Sequence, residues 1–129
     1  MKKLFLLSLL SLTIPLFADE LPRDSFGKYG GRMPAYTVEK DGVMLEIDAH
    51  DVYITIAENE ITYVGGDLTL SGDYTVYKQN KNEYVIKSKL DNGKSLHYEL
   101  EFVWNKKENT LYIAPKNGQS EVYLERMDE

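Results

Sequence analysis

From Tyr36 onward the chain alternates apolar and polar side chains with a period of two, broken by turn residues about every 8 to 12 positions, the pattern of half-buried strands joined by short loops. The clearest ladder ends at Trp104. Leu96, Tyr98, Leu100, Phe102 and Trp104 hold one parity there, and His97, Glu99, Glu101 and Val103 the other. Tyr36 and Val38 alternate before Asp41-Gly42, and Val43, Leu45 and Ile47 alternate after it. Asp-Gly supplies the positive φ angles of a type I′ turn, so a tight hairpin is expected. Val52, Ile54 and Ile56 lead through Glu58-Asn59 to a strand from Glu60 to Val64, and Gly65-Gly66-Asp67 turns the chain into Leu68 and Leu70. Gly72 marks either a bend within one strand or a break between two short ones. Tyr84, Ile86 and Ser88 precede Asn92-Gly93, which reads as a second tight turn. Leu111 and Ile113 alternate again, and Pro115-Lys116-Asn117-Gly118 turns into Val122, Leu124 and Arg126.

Helical spacing is absent from this region, and no connection is long enough for a crossover helix, so about eight or nine antiparallel strands are expected. Their apolar face must be buried. The expected fold is all-β, an antiparallel up-and-down meander closing into a small barrel, with a β-sandwich as the alternative. Hairpin-length loops favour the barrel, because a sandwich needs longer connections between its two sheets.

The two ends of the chain change the picture. Met1-Lys2-Lys3 followed by an apolar run from Leu4 to Phe17 and then Ala18 has the form of a secretory signal peptide, residues 1–18, with cleavage expected after Ala18. Asp19 to Ser25 is polar, contains Pro22 and is expected to be a flexible lead-in, leaving residues 26–129 as a single domain. The destination is periplasmic or secreted, with no stable membrane span once the leader is removed. The chain contains no cysteine, so the fold has no disulfide and the core alone must hold it. Without Lys2 and Lys3, 13 basic residues face 21 acidic ones and the formal charge is −8. Such a surface repels nucleic acid, and Lys78, Lys81, Lys87, Lys89 and Lys94, interrupted by Glu83 and Asp91, form no recognition motif. A monomer is expected.

Two short segments gain meaning together: Phe26 to Gly31 (FGKYGG) at the start of the domain and Val122 to Arg126 (VYLER) in its last strand. They resemble the lipocalin and wider calycin pattern, in which a Gly-x-Trp on the first strand packs beneath an arginine from the last strand and closes one end of a small barrel. Gly27-Lys28-Tyr29 stands in the first place, with tyrosine where the family has tryptophan, and Arg126 in the second. The resemblance implies a barrel-closing pair, Tyr29 with Arg126, and a binding protein. Arg126 shares the parity of Val122 and Leu124, so it either points inward over an aromatic ring or leaves the strand end for solvent.

Catalytic chemistry finds little support. The histidines are His50 and His97. Same-face neighbours on a strand stand ~6.6–7 Å apart, so His97, Glu99 and Glu101 cannot easily converge on one ion. Asp48-Ala49-His50-Asp51 reads as a turn. No serine has a nucleophile-elbow setting, and no helix follows Gly65-Gly66 to receive a phosphate. No enzyme, cofactor or metal is therefore expected. Parity points Tyr36, Tyr63, Tyr74, Tyr84 and Tyr98 inward and Tyr53, Tyr77, Tyr112 and Tyr123 outward. The leading expectation is a non-enzymatic binder holding a small apolar or amphipathic ligand in the barrel, lined by Tyr63, Tyr74, Tyr84, Tyr98 and Phe102. An eight-stranded barrel can also be filled by its own side chains, so packed and open interiors both stand. The alternative is a protein-interaction module, for example an inhibitor of a basic hydrolase such as lysozyme, acting through loops, outward tyrosines and the acidic surface.

Overall fold

The computed structural model describes residues 19–94, 96–115 and 121–127. Ten strands follow one another: β1 (Gly27–Met33), β2 (Tyr36–Lys40), β3 (Val43–Ile47), β4 (His50–Ile56), β5 (Ile61–Gly65), β6 (Leu68–Lys78), β7 (Glu83–Asp91), β8 (His97–Asn105), β9 (Thr110–Ile113) and β10 (Val122–Met127). Eight of them close into an antiparallel barrel in the order β1-β10-β9-β8-β7-β6-β5-β4. The remaining two, β2 and β3, pair only with each other, as a hairpin outside the barrel. The signal peptide expected over residues 1–18, and the turn expected from Pro115 to Gly118 beyond Pro115 itself, lie outside the described residues.

Period-two alternation gives the barrel its inside. Ile54, Leu70, Ile86, Phe102, Trp104, Leu111, Ile113 and Leu124 are fully buried, and burying each such side chain stabilises the fold by about 1.5–3 kcal/mol before entropy is counted. On β8 the inward parity is the expected one: Leu100, Phe102 and Trp104 are buried, whereas Glu99 and Glu101 face out beside Lys89 and Lys87 of β7. Leu96, taken as the first rung of that ladder, precedes the strand and is 37% exposed.

Two turns with similar sequences behave differently. Asp41 and Gly42 adopt φ 54° and 80°, as a two-residue hairpin requires. At Asn92-Gly93 the expectation of a tight turn is corrected: β7 ends at Asp91, β8 begins at His97, and residues 92–96 connect them. The reason lies in the side chains. Asn92 Oδ1 accepts the N–H groups of Lys94 and Leu96, and Asp91 Oδ1 accepts that of Gly93, which holds a wider loop open.

β6 is one continuous strand through Gly72. A Cβ there would lie 1.9 Å from the Lys89 carbonyl oxygen of β7, so only glycine lets the two backbones approach this closely. Residues 19–25, expected as a lead-in, lie against the barrel: Asp19 bridges to Val76, Leu21 and Ser25 are buried, and Arg23–Ser25 make a single 3-10 turn. Among the described residues no helix is long and apolar enough to cross a membrane.

Candidate functional site

The barrel has two unlike ends, set by which strand termini meet there. At one end the start of β1, the turn after β8 and the end of β10 come together around Tyr29. Arg126 donates from Nη2 to the Phe26 carbonyl (2.7 Å) and from Nη1 to the Asp24 carbonyl (2.8 Å), and its guanidinium carbon lies 5.4 Å from the Tyr29 ring centroid. Gly27, with φ 146°, leaves the space this needs, since a Cβ would stand 2.5 Å from Arg126 Nη2. Tyr29 Oη donates to the Ser25 carbonyl at 2.7 Å. Burial raises the Tyr29 pKa, and the guanidinium offsets part of that rise. Asn109 completes the cluster: its Oδ1 accepts from Trp104 Nε1 (3.0 Å) and lies 3.1 Å from Tyr29 Oη. This end is sealed by satisfied polar groups, which makes it a structural closure rather than a binding surface.

The five side chains expected to line a cavity are distributed over the whole barrel rather than gathered. Phe102 is fully buried between Ile86 and Ile113 of the neighbouring strands. Tyr84 is buried near the sealed end, its ring tilted 48° against Trp104 at 5.6 Å. Tyr74 lies where β5 and β6 separate and donates to the carbonyls of Ala57 (2.6 Å) and Glu58 (3.0 Å). Tyr63 and Tyr98 belong to the other end. Burial, followed by the neighbouring Tyr98, raises the Tyr36 pKa, and burial, followed by Tyr36 and Tyr98, pushes the Tyr63 phenol up to about 12. Of the three clefts described, all on the outside of the barrel, Tyr74 lines two and the other four side chains line none.

The end carrying Tyr36, Tyr63 and Tyr98 also carries the β2–β3 hairpin. Pairing of Tyr36 with Ile47, Val38 with Leu45 and Lys40 with Val43 puts Tyr36, Val38, Lys40, Val43, Leu45 and Ile47 on one face, and pairing of Glu39 with Met44 puts those two on the other. Tyr36, Val38 and Ile47 are half-buried near the barrel, whereas Val43, Met44 and Leu45 toward the tip are 56%, 64% and 42% exposed. Glu39 and Asp41 flank this tip beside Lys40, whereas Glu46 pairs with Thr37 farther down the hairpin and Asp48 follows its last residue. An exposed apolar tip bordered by charged side chains is the make-up of a protein-docking surface. The sequence pattern contained every one of these residues, but it could not show that the hairpin stands outside the barrel.

The outward tyrosines form a row. Tyr77, Val85, Val103, Tyr112 and Tyr123 are cross-strand neighbours from β6 to β10. Much of this row is already engaged: Lys87 lies over Tyr77, Tyr112 donates to Glu121, and Tyr123 stacks on Tyr112 at 5.0 Å. Lys28 likewise covers Tyr53. The largest of the three described clefts, about 730 Å³, is floored by β6, β7 and β8 among Asp73, Lys87, Lys89, Glu99 and Glu101 and is bordered by Pro115, after which residues 116–120 are outside the described ones.

His50 Nδ1 lies 2.8 Å from the Asp48 carbonyl, but the turn expected over Asp48 to Asp51 is corrected: only Asp48 and Ala49 lie between strands, and His50 and Asp51 belong to β4, paired with Met33 and Arg32 of β1. Among the described residues no group of three or more His, Asp or Glu side chains is placed to hold a metal ion. No protein-family model, curated protein or solved structure matches the chain.

Proposed function

We propose that this chain is an exported, non-enzymatic binding protein of lipocalin-like build that engages a basic protein through the β2–β3 hairpin. The observation that carries the reading is the exposure of Val43, Met44 and Leu45 on a hairpin that pairs with no barrel strand. A lone two-stranded hairpin is marginal in water, and exposed apolar patches are otherwise kept small on monomers, so a partner that covers the tip accounts for its composition. Charge selects the partner's sign. Four carboxylates between Glu39 and Asp48 against Lys40 alone, and the net −8 of the exported chain, both steer a cationic surface toward the hairpin, and a basic hydrolase such as lysozyme has one.

Calorimetric titration with lysozyme and with a second basic hydrolase, trypsin, tests this. Binding to at least one of them is expected, weakened at least about tenfold by Met44→Ser with Leu45→Ser, and weakened again near 1 M salt, where the Debye length is about 3 Å. Binding that ignores both changes, or is absent from both titrations, would contradict the proposal.

A second reading, retention of a small amphipathic molecule, draws support from the grouping of Tyr36, Tyr63 and Tyr98 at the hairpin end, where neighbouring phenols stand among apolar side chains. A native mass spectrum of the purified protein without any adduct counts against it.

A further inference from the structure

At the opposite end from the hairpin, the edge of β6 is incompletely paired. β5 covers β6 only as far as Gly72, which faces Ile61. Farther along the same edge, the Asp19 amide donates to the Val76 carbonyl (2.8 Å), and the Asp19 carboxylate accepts the Lys78 amide. On a strand, backbone groups of alternate residues point to the same side, so Tyr74, between Gly72 and Val76, directs its N–H and C=O to this edge as well. β5 has ended before this point, and Leu21 makes no backbone bond to Tyr74. Among the described residues no backbone group pairs with Tyr74 on this edge, which opens into a cleft of about 640 Å³ bounded by Asp19, Glu20, Leu21, Arg23 and Phe26 on one side and Glu58 and Asn59 on the other. Such an edge is a template for another strand.

We infer that the β6 edge from Tyr74 to Lys78 is a strand-addition site for an extended peptide with an apolar centre and Lys or Arg flanks, and that Asp19-Glu20 is a displaceable latch over it. The backbone supplies affinity: an incoming strand gains Tyr74 and can take over Val76 and Lys78 from the latch. The walls supply selectivity. Glu58 and Glu20, the latter still tethered at Leu21 when the latch lifts, outnumber Arg23 and favour cationic flanks; Phe26, Tyr74 and Val76 offer an apolar floor to the side chain between them. The latch is tied through one backbone bond and one carboxylate cap, while buried Leu21 anchors the chain behind it and Pro22 ends its capacity to pair. This site shares no residue with the hairpin, so it stands or falls independently of the partner proposed there.

The probe is a synthetic peptide of alternating lysine and valine, titrated into the protein while amide exchange is followed by NMR. Saturating peptide is expected to slow exchange of the Tyr74 amide at least about tenfold, and Asp19→Ala is expected to tighten binding by about threefold to tenfold because the cap on Lys78 is lost. N-methylation of one alternate set of peptide amides abolishes binding, while methylation of the other set leaves it intact, a signature that charge attraction alone does not produce. No slowing at Tyr74, equal loss from both methylated sets, or no binding to either the parent or Asp19→Ala would overturn the inference. A glutamate-valine peptide binding as tightly as the lysine one would overturn the assignment of a cationic occupant.

Discussion

Asn109 shows how much one side chain at the sealed end depends on closure. Its Oδ1 lies within reach of donors on Tyr29, Trp104 and Arg126, and its own φ of 55° is one that asparagine tolerates better than most residues. Tyr29 and Arg126 were legible beforehand, because parity and a short motif mark both. Asn109 was not, since its role exists only once residues 80 apart in sequence meet. At the other end, Tyr63 is the side chain whose chemistry can be titrated. Burial holds its phenol neutral up to about 12, against 10.0 when unfolded, so the folded chain binds more protons than the unfolded one between those values. The stabilisation is complete below pH 10.0 and is lost as pH rises through about 12, an effect on the order of 2 kcal/mol. Urea unfolding at rising pH is expected to show that decline, and Tyr63→Phe to flatten it; an identical pH slope in the variant would assign the decline to other groups.

At the scale of the element, the strands were legible where alternation and burial coincide, as on β8, and the hairpin was legible as a hairpin from Asp41-Gly42. Its place outside the barrel was not. Turn chemistry and alternation are local, whereas ladder membership depends on Met33 of β1 pairing with His50 of β4, across the entire hairpin. The same limit applies to Asn92-Gly93, where side-chain acceptors and not the dipeptide set the loop. Gly72 left two options open that only the contact with β7 resolves. Because a Cβ there would collide with the Lys89 backbone rather than a movable side chain, Gly72→Ala is expected to lower stability by about 3 kcal/mol or more, measured by denaturant midpoint. A loss below about 0.5 kcal/mol, the range of ordinary surface changes, would mean that β6 and β7 do not approach as described.

For the molecule as a whole, the buried interior and the sealed end make the barrel a scaffold, and the hairpin stands apart from it. The candidate lining read from parity was a correct list of inward strand positions for Phe102 and Tyr84, yet parity cannot tell a wall from a filling. Packing decides that, and here Phe102 is enclosed by its cross-strand neighbours. Scaffold and hairpin can be separated experimentally because Met33 and His50 are directly paired, so residues 34–49 can be replaced by an Asn-Gly turn without moving β1 or β4. The most direct measurement is titration of this shortened chain with whichever basic hydrolase the parent binds, alongside its thermal unfolding. The expected result is a barrel that melts cooperatively within about 5 °C of the parent, roughly a 1 kcal/mol difference, and no longer binds. A shortened barrel that stays folded and binds undiminished would contradict the hairpin as the functional surface.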